Sequence, residues 1–114
     1  MTIQRFDVGK RLSKVVVHGN TAYLAGEVPD DGTKDITGQT EEVLAKIDKH
    51  LKQVGSDKSK LLWAQVWLPD IREKDQMDEA WKAWVDPDNK PVRACVESRL
   101  TPDTRVEIMV TAAK

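Results

Sequence analysis

The eight residues Leu61-Leu62-Trp63-Ala64-Gln65-Val66-Trp67-Leu68 constrain the fold more than any other stretch, because a strand built from them has no face suited to water. Successive side chains of a strand point to opposite faces. Leu62, Ala64, Val66 and Leu68 therefore share one side, and Leu61, Trp63, Gln65 and Trp67 the other. A strand apolar on both sides belongs in the interior of a sheet that is covered twice. The rest of the chain supplies only two helices. Asp35 to Val54 sets Val43, Leu44, Ile47, Leu51 and Val54 at helical spacing and stops at Gly55; Glu73 to Val85 repeats the period through Met77, Ala80, Trp81 and Trp84 and stops at Asp86-Pro87.

Two helices cover one face of a sheet, so the other needs a different cover. Ser13 to His18 and Thr21 to Glu27 are β-rich runs joined by Gly19-Asn20, a two-residue hairpin signal. Val92 to Glu97 and Thr104 to Ala112 close the chain as strands. The expected order is ββαβαββ: an α+β fold, one domain over residues 1–114, with a mixed sheet carrying both helices on one face. The opposite face would expose Val16, Tyr23, Trp63, Trp67, Cys95 and Met109 in a monomer. An apolar face of that extent marks association, and a homo-oligomer is the expectation. The plainer alternative has the tryptophans filling an enlarged core beneath loops.

Composition excludes several classes of function. Lys and Arg number 18 against 19 Asp and Glu, a net charge of −1, with no basic block to track a phosphate backbone, so nucleic acid is not the favoured partner. Cys95 is the only cysteine, and His18 and His50 lack metal-ligand spacing, so neither an intrachain disulfide nor a metal is expected. No stretch has the length and apolarity of a signal peptide or a membrane span, and the reading points to the cytoplasm.

The chemistry concentrates in Pro91-Val92-Arg93-Ala94-Cys95-Val96-Glu97 and Val106-Glu107-Ile108. In the first, Val92, Ala94 and Val96 alternate with Arg93, Cys95 and Glu97, which predicts that Arg93 points away from the helix-covered core. In the last strand Glu107, Met109 and Thr111 oppose Val106, Ile108 and Val110 and fall on that same second face. A partly buried guanidinium requires an anion. Either a ligand supplies it, or Arg93 forms an ion pair with Glu97 or Glu107.

These residues resemble the RidA family, also called YjgF/YER057c/UK114. The likeness runs through Gly19, Leu24-Ala25-Gly26-Glu27-Val28-Pro29, Asp35-Ile36, Gln39-Thr40, Val43-Leu44, Leu51 and Gly55 to the two late motifs, which match the family's Pro-x-Arg-x-x-Val and Val-Glu-Ile patterns. The resemblance implies a chorismate-mutase-like fold, a variant of the ferredoxin-like arrangement. It also implies a homotrimer with clefts between subunits and hydrolysis of 2-imino and 2-enamino acids such as 2-aminoacrylate to 2-oxo acids and ammonia, with no cofactor.

On that resemblance Arg93 grips the substrate carboxylate and Glu107 positions water and handles protons, while Cys95 lines the pocket and Gly26 offers a backbone amide. The chain departs from the familiar deaminases at Ala25, where a serine is usual, and at Glu27, where a glutamine is usual. Leu12 falls at the family's pocket tyrosine and Asp78 at its second-helix asparagine. The residues thus read as a divergent subgroup member whose ligand is a small imino or oxo acid. A non-catalytic carboxylate-binding or chaperone-like trimer is the alternative, with a ribonuclease behind it.

Overall fold

The computed structural model describes all residues, Met1–Lys114. In chain order the elements are β1 (Ile3–Val8), β2 (Ser13–His18), β3 (Thr21–Leu24), α1 (Ile36–Gln53), β4 (Leu61–Leu68), α2 (Lys74–Trp84), β5 (Val92–Glu97) and β6 (Glu107–Ala113), with single 3₁₀ turns at Lys58–Lys60 and Ile71–Glu73. All six strands form one sheet in the order β1-β2-β3-β6-β4-β5. Only β4 and β5 run parallel, joined through α2; every other neighbour is antiparallel. Both helices pack on one face.

The elements start and stop for local reasons. Asp35 caps α1 by accepting from the Gly38 amide at 2.8 Å, and Gly55 follows its C-terminus with a φ of 79°, a backbone position that costs glycine least. Gly19 turns the β2–β3 hairpin with a φ of 61°. The α1 stripe Val43, Leu44, Ile47 and Leu51 meets Val15, Val17, Ala64, Val66, Ile108 and Val110 from the sheet in a core cluster of 21 buried residues, joined by Met77 and Trp81 of α2.

Three expectations are corrected. The order is βββαβαββ, because Ile3–Val8 adds an edge strand paired to β2. The second hairpin strand ends at Leu24 rather than Glu27; Glu27 makes an isolated bridge to Ile108 instead. In β4 a bulge between Leu61 and Trp63 breaks the alternation. Leu61 is therefore buried and Leu62 about half exposed, the reverse of the simple period.

The face without helices stays open, as the count of helices requires. Trp63 is 39% exposed, Val92 67% and Val96 42%. These side chains form a row because Trp63 is opposite Val92 and Trp67 opposite Val96 in the β4–β5 register. Trp63 is exposed and Trp67 half-buried, and no helix is long and apolar enough to cross a membrane.

Candidate functional site

Residues directly opposite each other in neighbouring strands point to the same side of a sheet, so the register assigns each candidate to a face. Arg93 is opposite Ala64, which is fully buried beneath the helices, and Cys95 is opposite Val66. Arg93 and Cys95 therefore point toward the helices, contrary to expectation, and Val92, Ala94 and Val96 form the uncovered face. Periodicity marked one apolar face of β5; it did not say which layer that face meets. At this edge strand the apolar row continues the open patch of Trp63 and Trp67, while Arg93 finds its anion on α2.

That anion is neither Glu97 nor Glu107. Arg93 Nη1 donates to Asp78 Oδ1 at 2.6 Å, and the guanidinium carbon lies 5.1 Å from the centre of the Trp81 ring, a cation–π contact. Asp78 also accepts from Lys74 Nζ at 3.0 Å. Burial alone would push the Asp78 carboxyl up, but the hydrogen bonds from Arg93 and Lys74 outweigh it and hold the group below its ordinary value. Cys95 is half-buried beside this cluster. Burial raises its thiol above the ordinary range and the neighbouring Arg93 and Lys74 charges only partly offset that, so it is no ready thiolate nucleophile.

The second group of candidates gathers on another strand and the opposite face. Glu107 is opposite Trp67 on the uncovered side. Glu27 donates its backbone amide to Ile108 O at 2.8 Å and accepts from Ile108 N at 3.1 Å, which lays Gly26 against Glu107. A Cβ at Gly26 would meet Glu107 Oε2, so any larger residue there would push this carboxyl group out of its place. No cation pairs with Glu107. Burial first, and then the negative charge of Glu27, raise its carboxyl above the ordinary range. The start of β6 is pinned through Gln39, which donates to Asp103 O at 2.9 Å and accepts from the Arg105 amide at 2.7 Å.

The remaining candidates are Ala25, Leu12 and Glu27. The Ala25 amide donates to Lys14 O at 2.9 Å, joining the Ala25–Glu27 segment to β2. Leu12, 52% exposed, lies in the turn between β1 and β2 and lines a cavity of about 370 Å³ with Asp7, Gly9, Lys10, Arg11 and Lys14. Glu27 is buried rather than lining a pocket wall, and touches Lys14, Lys46 and His50. The candidates thus form two clusters, Arg93, Asp78 and Cys95 on the helix side of β5, and Glu107, Gly26, Ala25 and Glu27 around the start of β6, while Leu12 lies in the β1–β2 turn.

The sequence reading missed Trp81, Lys74, Lys46 and His50 as neighbours of these clusters. Trp81 was read only as a core position. The spacing Lys74, Asp78, Trp81 puts all three on one side of a helix, a signal that a partner for Arg93 could stand there.

A family model described as "Endoribonuclease L-PSP" matches residues 2–114. A RutC family protein of Haemophilus influenzae is 46% identical over 114 residues, covering 98% of both chains. The chain belongs to the RidA (YjgF) family. Another RidA relative, the Escherichia coli RutC family protein YoaB, is 43% identical over 99% of both chains. Solved structures agree with the fold. A YjgF-family protein from Neisseria meningitidis superposes with a TM-score of 0.97 at 42% identity, covering 100% of this chain and 96% of that one. An uncharacterised Pseudomonas aeruginosa protein superposes with a TM-score of 0.96 at 38% identity over 99% of each.

Proposed function

We propose that this chain hydrolyses 2-imino and 2-enamino acids to 2-oxo acids and ammonia in clefts that two copies of the chain complete. The observation that carries the reading is Glu107: a carboxyl group with no cation partner and a raised proton affinity, held beside Gly26 on a sheet face that nothing covers. A carboxyl group left in that state is suited to taking and giving a proton.

The substrate's carboxylate goes to Arg93. Its Nη1 is bonded to Asp78, and no other N–H of the guanidinium is hydrogen-bonded within the chain, so an edge of the fork is free for an anion. The Trp81 ring lies against the guanidinium and helps to fix its place. Arg93 and Glu107 sit on opposite faces and different strands, so one chain does not present both to one small molecule. A second copy laid against the apolar face of Trp63, Val92 and Val96 would set one chain's Glu107 against the other's Arg93. A closed ring of three such copies gives the homotrimer. In the cleft, water adds to the imine carbon and the amino alcohol collapses to the oxo acid with loss of ammonia. The imine is already electrophilic, so orientation beside a positioned water supplies much of the rate.

Supplying imino acids in situ from an amino-acid oxidase or a serine dehydratase, and following imine loss with and without the protein, tests the reading. Acceleration abolished by both Arg93→Ala and Glu107→Gln is the expected result. Binding of 2-oxo acids without acceleration for any amino acid tried would replace it with a carboxylate-binding module. RNA cleavage that survives both substitutions would favour the activity named in the family description.

A further inference from the structure

Three of the chain's cations stand round one hollow. The cavity of about 370 Å³ in the turn between β1 and β2 is lined by Asp7, Gly9, Lys10, Arg11, Leu12 and Lys14. That volume falls in the range of small-ligand sites. Its shape is set by the backbone: the Gly9 amide donates to Leu12 O at 2.8 Å, Val8 is opposite Ser13 in the flanking ladder, and Lys14 O accepts from the Ala25 amide at 2.9 Å. The lining carries three cations against one acid, a net of two positive charges in a chain whose total is −1. The acid does not answer them. Asp7 Oδ2 lies 3.8 Å from His50 Nδ1 on α1 and pairs with none of the three; Lys10 and Arg11 form no ion pair, and Lys14 reaches Glu27 only at 3.8 Å.

Around α2 the charged surface is built differently. Arg72, Lys74 and Lys82 each meet an acid within 3.0 Å, so solubility alone does not call for clustered cations of one sign. Like charges around one hollow repel, and a negatively charged ligand removes that cost. We propose that this cavity binds a small organic dianion, a dicarboxylate or a phosphate ester. Two ligand charges match the net charge of the lining. Arg11 offers a planar fork that suits carboxylate and phosphate alike, while Lys10 and Lys14 supply point charges. Leu12, about half exposed, is the one apolar side chain of the lining and gives the ligand's carbon skeleton a surface to lie on. A bare inorganic ion would leave it unused. The turn is hydrogen-bonded on both sides, so little backbone ordering opposes binding. Neither Arg93 nor Glu107 lines this cavity, and the proposal does not rest on the hydrolytic reading.

The test reads the turn itself. Protein carrying nitrogen-15 is titrated with succinate and, separately, with glycerol 3-phosphate, following the amide resonances of Gly9, Lys10, Arg11, Leu12 and Lys14 by NMR. Saturable shifts centred on these amides, weakening as sodium chloride is added, are the expected result. The tighter ligand of the two tells whether carboxylate or phosphate is preferred. Arg11→Ala should weaken binding about tenfold, the scale of one charge-assisted contact. Arg11→Lys, which keeps the charge and loses the fork, should weaken it less. Lys10 and Arg11 are both exposed, so these variants leave the core intact. Affinity unchanged in a Lys10→Ala, Arg11→Ala double variant overturns the proposal. So do shifts that centre on Arg93 and Trp81 while the turn stays still, and so do shifts produced by a short RNA and by neither small dianion. No imine enters the titration, so its outcome is independent of whether the protein is a hydrolase.

Discussion

At β5 the charge of Arg93 is already answered: Asp78 at 2.6 Å, Lys74 behind it and the Trp81 ring against the guanidinium form a compact paired cluster. At the start of β6 Glu107 has no cation, faces the uncovered side and is pushed toward its protonated form by burial and by Glu27. The first arrangement resembles what folding alone would select, since a satisfied ion pair is stable at any stage. The second does not. An isolated carboxyl group held half-buried against Gly26 is destabilising, and such groups cluster where chemistry uses them. A satisfied half and a costly half thus lie on opposite faces of one sheet, and the proposed function assigns binding to the first and proton transfer to the second.

The sharpest way to break that division is to disable the halves separately and then mix them. Arg93→Ala should lower kcat/KM for imine hydrolysis by about thirtyfold to several thousandfold, from the roughly 2–5 kcal/mol lost with a desolvated charged contact. Glu107→Gln should lower kcat by about a hundredfold to ten-thousandfold, with 2-oxo acid binding less affected. If each cleft takes Arg93 from one copy and Glu107 from another, unfolding and refolding an equal mixture of the two variants regenerates intact clefts. Random closed rings would recover about a quarter of wild-type activity. No recovery in rings shown to be mixed would place both groups in one chain and end the comparison.

The open face supplies the next test. Trp63 and Val92 are opposite each other and both exposed, and burial of side chains of this size contributes about 1.5–3 kcal/mol each. Trp63→Glu should shift the light-scattering mass toward a single chain at micromolar concentration and reduce hydrolysis in parallel, because a buried unpaired charge costs several kcal/mol. Circular dichroism should stay close to wild type, since Trp63 lies outside the core cluster. A single-chain Trp63→Glu protein with full activity would show that the halves need no second copy.

Most of the scaffold was legible because its signals are local. Asp35 and Gly55 bracket α1, Gly19-Asn20 turns the hairpin, and the stripe of Val43, Leu44, Ile47 and Leu51 names the core face. What was illegible depends on neighbours in space. Ile3–Val8 mixes Ile3 and Phe6 with Arg5 and Asp7 and becomes a strand only because β2 offers it an edge. The bulge at Leu61/Trp63 swaps two leucines between core and surface. Arg93 was identified as a charge needing a partner, yet its side of the sheet follows from the parallel register with Ala64, which no periodicity within β5 encodes. Glu27 stood out as a departure from the family pattern, but its burial against His50 and Lys46 required α1 to be laid beneath it.

The smallest effect expected concerns the paired half. Asp78→Asn keeps shape and a hydrogen-bond acceptor for Arg93 while removing the charge, so two consequences of opposite sign follow. Stability should fall by about 1 kcal/mol near neutral pH, the scale of one charge-assisted contact between largely buried partners. Affinity for a 2-oxo acid should rise severalfold, because the guanidinium no longer divides its attraction between Asp78 and the ligand. The pH dependence fixes the sign. Asp78 is held below its ordinary value near 3.8, so the unfolded chain binds this proton more readily. Its contribution is complete above that ordinary value and disappears as pH falls through the lowered one. Denaturant midpoints of wild type and Asp78→Asn, measured from neutral pH downward, should converge in that acidic window. Midpoints that stay equally separated down to the lowest pH at which the protein folds would mean that Asp78 acts through packing rather than charge. Arg93 would then be no more satisfied within the chain than Glu107 is.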